Sequence, residues 1–339
     1  MMKTYKYMVA TRCMTYNQAS YIEDALHGFS IQNTTFPAVY IVVDDASTDG
    51  EPEIIKRWVQ DNLTIDEGRE LWEELPYGYI AIATQKGKFN SLFVILLLSE
   101  NHRQNGKRWK KMSYIAQWND NAKYLAYCEG DDYWTDDDKL QKQVDFLEQH
   151  PDYSFCVHNF KRYQEKEGVF TDGYRYKEDF AIGIKEYLQY WPTHPMTSVI
   201  RSSAVPSLEI RQQYKHFRDN HSFYLLLKKG LGYYMADVMG VYRITNKGMW
   251  TSLNSVGQVE IDLVCYLELY EHNKTDRDLK RKCINQYILY LTLCKENKVA
   301  PKKEIMKEMG FVNRIEASIL MMYSKVRRVI KNIINNSFL

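Results

Sequence analysis

What this 339-residue chain lacks removes several classes at once. None of its six cysteines (Cys13, Cys128, Cys156, Cys265, Cys283, Cys294) shows zinc-type spacing. Cys13, Cys128 and Cys156 lie in apolar strand-like runs, which reads as buried thiols in a reducing cytoplasm. Excess charge of one sign is also missing: 45 Lys and Arg stand against 43 Asp and Glu, a formal net charge of +2. No global polyanion partner follows from that balance, and nucleic acid is not expected. The N-terminal Met1-Met-Lys-Thr-Tyr-Lys-Tyr-Met8 has no apolar core, so no signal peptide is expected. The longest purely apolar run, Leu92–Leu98, is far too short to cross a bilayer. Internal repeats and low-complexity segments are absent. What remains is 45% hydrophobic, enough for one large domain or one domain with a smaller appendage. Aromatics are abundant, with 27 Tyr and 7 Trp. Core filling accounts for most of them, and platforms for sugars or bases are the second reading.

The first half alternates strand and helix signals. Tyr7–Cys13, Val39–Val43, Leu92–Leu98 and Lys123–Cys128 read as buried strands. Ser20–Ile31 reads as a helix with Ser20 as N-cap and Glu23 at the capping-box position. Pro52–Asn62 reads as a helix opened by a proline, and Asp137–Gln149 as an amphipathic helix. Strands separated by helices imply an α/β fold with a doubly wound, mostly parallel sheet. Residues 61–122 look irregular, with an acidic helical stretch (Ile65–Glu74) and a basic run (His102–Lys111) that reads as a loop. Beyond Pro151 come short strands (Phe155–Phe160, Thr197–Arg201), a helix (His221–Lys229) and a late strand (Val238–Ile244). From Val256 onward the apolar residues recur at helical spacing.

Three polar clusters follow predicted strands: Met14-Thr-Tyr-Asn17, Asp44-Asp-Ala-Ser-Thr-Asp-Gly50 and Glu129-Gly-Asp-Asp132. Open α/β sheets bind ligands outside the carboxyl ends of their strands, so three such clusters together weigh more than one. Ser47–Gly50 is explained by capping and turning into the next helix. Two aspartates directly on a strand end are not. Asp45, or its neighbour, is therefore expected to meet a ligand, as an acceptor for a base edge or a ribose hydroxyl. Asp136–Asp138 suit a helix N-terminus, which leaves Asp131 and Asp132 over. Adjacent carboxylates repel, and their burial without a partner is costly. The usual occupant of such a pair is magnesium or manganese carrying phosphate oxygens.

In order and spacing, these motifs resemble those of family 2 glycosyltransferases with the GT-A type nucleotide-sugar-binding fold. The string Cys128–Glu148 resembles bacterial members that make surface polysaccharides, and the match covers about residues 5–250. The resemblance implies a GT-A type domain over 1–250, with a nucleotide-sugar half (1–135) and an acceptor half (136–250), and a helical C-terminal extension over 251–339. It implies inverting transfer of a sugar from a nucleotide-diphosphate donor, foremost a UDP-sugar, to a hydroxyl of a saccharide or lipid-linked acceptor. The setting is cell-surface polysaccharide synthesis, and the cofactor is Mn2+ or Mg2+.

Residue by residue, the resemblance puts Thr15 and Asn17 in the nucleotide pocket, Thr15 largely through its backbone. Asp45 meets the base, Asp131 faces the ribose or the metal's shell, and Asp132 is the direct metal ligand. Asp219 is the matching catalytic base, ahead of a helix ending in Lys229-Gly230 and of Val241-Tyr-Arg243. Two departures stand out. Glu129-Gly130 precedes the pair, so the strict Asp-x-Asp form is absent. Thr245 in Tyr242-Arg-Ile-Thr245 occupies a place where many relatives carry histidine, which leaves Arg243, Thr245 or water to serve there.

Plainer readings stand beside these. The plain alternative for Asp219 is an N-cap, and for His221 a helix-surface residue or an acceptor contact. Trp250 packs in the core or serves where relatives also carry an aromatic. Lys107–Lys111 is a solvated loop or a clamp on the diphosphate. His194, between Pro192 and Pro195, is structural or lines an acceptor pocket. The basic amphipathic stretch Ile319–Ile334 packs on the domain or makes peripheral contact with the inner face of the plasma membrane. A nucleotidyltransferase would carry a Gly-rich basic loop after the first strand, and Met14–Asn17 has none. A non-catalytic nucleotide-sugar-binding scaffold has only Thr245 in its favour. A glycoside hydrolase has no need of three clusters on strand ends.

Overall fold

The computed structural model describes residues 4–65, 70–107, 110–245, 248, 250, 252–310 and 313–318. The chain divides into two compact units. Unit 1 comprises Met1–Gly183, Pro192–Val205 and Leu226–Thr245, and unit 2 comprises Ile184–Trp191, Pro206–Leu225 and Asn246–Leu339.

Unit 1 is built on one sheet with thirteen strands among the described residues. They are β1 (Tyr7–Thr15), β2 (Ala38–Asp44), β3 (Leu63–Thr64), β4 (Glu73–Leu75), β5 (Gly78–Gln85), β6 (Lys88–Leu98), β7 (Ala122–Tyr127), β8 (Tyr133–Trp134), β9 (Tyr153–Gln164), β10 (Val169–Asp172), β11 (Phe180–Ile182), β12 (Val199–Arg201) and β13 (Leu231–Ile244). The order along the sheet is β11-β13-β9-β12-β7-β1-β2-β6-β5-β3. Its centre is parallel: β1 pairs with β2 and β7, and β2 pairs with β6. Every residue of β2 is buried, as expected of a strand covered on both faces.

Alternation along the strands feeds two separate cores. Val9, Cys13, Tyr40, Val42 and Tyr124 pack on one face with side chains of α1 (Ile22–Ser30), α2 (Glu51–Asn62) and α4 (Lys139–Gln149). Tyr7, Ala10, Val39, Ile41 and Leu125 pack on the other with Ile115 and Trp118 of α3 (Lys110–Asn119). Helices on both faces of a parallel sheet make the doubly wound α/β architecture that the strand–helix alternation predicts.

Some local expectations differ from the structure. Helix α1 begins at Ile22, Tyr21 occupies its cap, and no side chain caps it, so Ser20 is not the N-cap. The carbonyl of Gln18 instead accepts from the amides of Tyr21 and Ile22. The acidic stretch ending at Glu74 is not helical there, because Glu73–Leu75 pairs with β5 in an antiparallel ladder; residues 66–69 lie outside the description. The basic run is a loop only in part, since α3 starts at Lys110 and buries Lys111.

Unit 2 is helical: α5 (Ile184–Tyr190), α6 (Leu208–Gln212), the start of α7 (Asp219–Leu227), α8 (Ser255–His272), α9 (Arg277–Glu296) and α10 (Lys303–Glu308). Asn254 caps α8 by accepting from the Gly257 amide at 2.8 Å, and Asp276 caps α9 by accepting from Leu279 at 3.0 Å. Helices α8 and α9 bury Leu263, Tyr266, Leu267, Leu279, Cys283 and Tyr287, each helix presenting one apolar stripe. This unit thus gathers the region after 250 together with two segments from the 136–250 half. All six cysteines are free and buried. Among the described residues no helix is long and apolar enough to cross a membrane. The stretch Ile319–Ile334 lies outside the described residues.

Candidate active site

The carboxyl ends of β1, β2 and β7 lie side by side. Thr15 pairs with Asp44 in the β1–β2 ladder, and Arg12 pairs with Tyr127 in the β1–β7 ladder. All three polar clusters of the sequence therefore emerge at one edge of unit 1.

Glu51, which the sequence reading passed over, ties two of them together. It is fully buried at the first position of α2. Its carboxylate accepts from the Thr15 hydroxyl and from the Gln18 amide at 2.8 Å, and lies 2.8 Å from Ser47 Oγ. Burial raises its pKa while those donors pull it down. An acidic residue in a first helical turn reads as dipole complementation, which hides this role in the sequence. Thr15 has its carbonyl engaged too, by the Asp45 amide at 3.0 Å. Asn17 takes a left-handed backbone with φ of 53°. Its amide donates to Ser47 Oγ at 2.8 Å, and its Oδ1 accepts from the Thr48 amide at 2.8 Å. Thr15 and Asn17 thus splice the β1 loop to the β2 loop. Gly50, with φ of 93°, supplies the turn into α2.

The two aspartates after β2 have different partners. Asp44 accepts from the amide and hydroxyl of Ser47, and burial pushes its carboxyl up to about 6 against those hydrogen bonds. Asp45, 3% exposed, accepts from the amides of His102 at 3.0 Å and Arg103 at 3.2 Å and from Lys111 Nζ at 2.9 Å. A carboxylate offers about four acceptor positions, so Asp45 has room for one further donor. Lys111, 8% exposed, is thereby committed to Asp45, and Lys107 pairs with Glu100 at 2.5 Å. Arg108 and Trp109 lie outside the described residues.

The pair after β7 is less satisfied. Gly130 is required by close approach: a Cβ there would lie 2.4 Å from Thr15 Oγ1 and 2.5 Å from Gln18 Oε1. Asp132 is 2% exposed, and its Oδ1 accepts from the Arg243 amide at 2.9 Å. No described residue donates to its Oδ2, and no cation forms an ion pair with it. Burial, then the neighbouring Asp131 charge, raise its carboxyl well above the usual range. Burial also raises Asp131, opposed by the Gln18 side chain and Arg243. The Arg243 guanidinium bypasses both carboxylates. It donates to the Asp131 carbonyl at 3.1 Å and to Asp24 at 2.6 Å, between the rings of Tyr21 and Tyr133. Thr245 is buried just past β13.

Among the described residues no cluster of three or more metal-ligating side chains occurs. The donor set is one unpaired carboxylate oxygen of the buried Asp132 beside a second aspartate. Such a set fits a hard cation whose remaining ligands are phosphate oxygens and water, and does not fit a metal held by protein alone.

In unit 2, Asp219 opens α7. It is solvent-accessible yet crowded by protein. The desolvation raises its carboxyl above the usual range, with the Arg218 charge pulling the other way. Helix α8 frames this loop. Asp262 accepts from Asn220 Nδ2 at 3.1 Å, and Glu268 accepts from the amide of His216 at 3.1 Å and its Nδ1 at 2.7 Å. His221 is fully buried, accepts from the Arg218 amide at 3.3 Å, and is pushed down to about 4 by burial. It is not a helix-surface residue. His194, in unit 1, packs against Tyr242 with ring centres 4.6 Å apart. Trp250 is 38% exposed.

Comparison with known proteins follows this geometry. No protein-family model matches the chain. An uncharacterized protein of Mycobacterium tuberculosis is 35% identical over 145 residues, 43% of this chain and 33% of that protein. The chain thus spans about a third of the length of the mycobacterial relatives it matches. The "Putative teichuronic acid biosynthesis glycosyltransferase TuaG" of Bacillus subtilis is 24% identical over 259 residues, 73% of this chain and 83% of that protein. Among solved structures, S. aureus TarS 1–349 in complex with UDP-GlcNAc superposes with a TM-score of 0.54 at 16% identity, covering 89% of this chain and 78% of that fragment. The UDP complex of TarS gives 0.53 at 14% identity, covering 86% and 73%. The fold is of the GT-A type, as the motifs led one to expect, and the chain resembles bacterial glycosyltransferases.

Proposed function

We propose that this chain is an inverting glycosyltransferase of cell-surface polysaccharide synthesis. It takes a sugar from a nucleotide-diphosphate donor, a UDP-sugar foremost, and delivers it to a hydroxyl of a saccharide or lipid-linked acceptor. One observation carries the reading: three strand ends converge, and on one of them Asp132 is buried beside the half-buried Asp131, with a carboxylate oxygen that no described residue satisfies. A ligand that brings its own cation would complete such a site, which supports this reading.

The nucleotide lies along the spliced β1 and β2 loops, held by Thr15, Asn17 and the remaining acceptor position of Asp45. Asp131 faces the ribose, and Arg243 fixes the Asp131–Asp132 turn from behind. Mn2+ or Mg2+ at Asp132 would supply charge neutralisation of the departing diphosphate. Asp219 takes the proton from the acceptor hydroxyl while that oxygen forms its bond to the anomeric carbon on the face opposite the leaving group. The bond from anomeric carbon to diphosphate breaks, and its electron pair leaves with the nucleotide, so configuration inverts. The raised carboxyl of Asp219 suits a base that must hold a proton briefly.

The test is a thermal-shift and transfer panel of UDP- and GDP-sugars with and without Mn2+. Metal-dependent donor binding is expected, and its absence across the panel would end this reading. Asp219→Ala is expected to keep donor binding and lose about a hundredfold or more in transfer. Unchanged transfer would remove Asp219 from the mechanism.

A further inference from the structure

Within unit 2, α5 is followed by a strained tryptophan. Trp191 has a left-handed backbone, φ of 50°, which is rare for a bulky aromatic and must be enforced by its surroundings. Its ring is only partly buried. It packs against Tyr187 at 5.7 Å and edge-on against Tyr266 at 6.0 Å. Tyr187 and Tyr266 are both fully buried, so Trp191 is the most exposed of these three rings. The rings reach the base loop, because the Tyr187 hydroxyl donates to the Asn220 carbonyl at 3.1 Å. Asn220 follows Asp219 and holds Asp262.

A cation sits against the same ring. Lys282 of α9 places Nζ 6.0 Å from the Trp191 ring centre and 5.0 Å from that of Tyr266. Among the described residues it makes no hydrogen bond and no ion pair. Burial lowers its pKa, and Asp262, the carboxylate whose charge it feels most, offsets this only in part. The Tyr266 hydroxyl beside it is also buried without a partner. A half-buried ammonium that makes no hydrogen bond or ion pair among the described residues, with Asp262 near enough only to offset part of its burial, is costly to maintain, so an anion is the natural complement.

We propose that Trp191 and Lys282 form an acceptor subsite for an acidic saccharide: a sugar ring lies on the Trp191 indole and its oxyanion pairs with Lys282. The proposal rests on the transferase reading for the word acceptor, and on unit 2 alone for the binding site. The apolar face of a pyranose suits an indole plate, and a charge-assisted contact from Lys282 selects an acidic sugar over a neutral one. Carboxylate and phosphate share this chemistry.

Isothermal titration of the full chain, without nucleotide or metal, tests it with a glucuronate-containing trisaccharide, its carboxyl-reduced neutral counterpart and a 6-phosphorylated counterpart. The wild-type chain is expected to bind an acidic probe about tenfold or more tighter than the neutral one. The tighter of the two acidic arms identifies the oxyanion. Lys282→Gln should erase that preference and Lys282→Arg should retain it. Trp191→Ala should weaken acidic and neutral probes alike, by about three- to tenfold. Equal wild-type affinity for acidic and neutral probes, no binding of any probe, or an unchanged preference in Lys282→Gln would overturn the proposal. The wild-type comparison needs no variant to fold. Failure of the chain to bind any nucleotide sugar would sink the transferase reading and leave this result standing; loss of the acidic preference alone would do the reverse.

Discussion

Two adjacent aspartate pairs end neighbouring regions of the same sheet, and they differ in what their protein supplies. Asp45 has three donors, one of them the buried ammonium of Lys111. Asp132 has one backbone amide, and the nearby guanidinium of Arg243 is turned to a carbonyl and to Asp24. Sequence makes the pairs look alike. Satisfaction separates them: Asp45 holds the amides of His102 and Arg103 and the ammonium of Lys111 and keeps one acceptor position, whereas Asp132 keeps an oxygen that no described residue satisfies. Buried carboxylates that the fold does not neutralise are where a cation and its phosphates are expected.

The comparison is sharpened most by removing the cation from the satisfied pair. Lys111→Met leaves Asp45 buried without its charge partner and should cost about 3–5 kcal/mol in urea unfolding. Adding Asp45→Asn to Lys111→Met should restore much of that loss. If Lys111→Met alone is neutral, Asp45 is not held as described and the contrast collapses.

A smaller effect concerns Asp44, whose carboxyl stands at about 6 because burial outweighs its Ser47 contacts. A carboxyl that titrates higher folded than unfolded keeps its proton in the folded state. Stability is therefore greatest at low pH, falls as pH rises from the ordinary carboxylate range near 4, and stops falling above about 6. Asp44→Asn keeps an acceptor for Ser47 and should remove that slope, gaining about 1–2 kcal/mol at pH 8. Chemical unfolding at pH 4.5 and pH 8 checks it; a slope that persists in the variant would assign the titration elsewhere.

Much of the fold was legible because the parallel strands are continuous apolar runs and each ends in a polar cluster. The site's outline was legible for the same reason. What the sequence hid were contacts of long reach. Lys111 looked like part of a solvated basic loop, since nothing local announces a partner 66 positions earlier. Glu51 looked like helix-dipole decoration, although it splices Thr15 to Ser47. Ser20 had the spacing of a cap, but the carbonyl of Gln18 starts the helix instead. The support of Asp219 was hidden for the same reason, because Asp262 and Glu268 come from a helix beyond the region that the motifs cover.

The central claim is that the unsatisfied oxygen of Asp132 is a place for a cation and the donor that carries it. Titration of UDP-GlcNAc into the chain with and without Mn2+, for the wild type and for Asp132→Asn, addresses it directly. Binding that requires Mn2+ in the wild type and falls about a hundredfold or more in Asp132→Asn is the predicted result. Binding that ignores the metal, or that survives unchanged in Asp132→Asn, would contradict it.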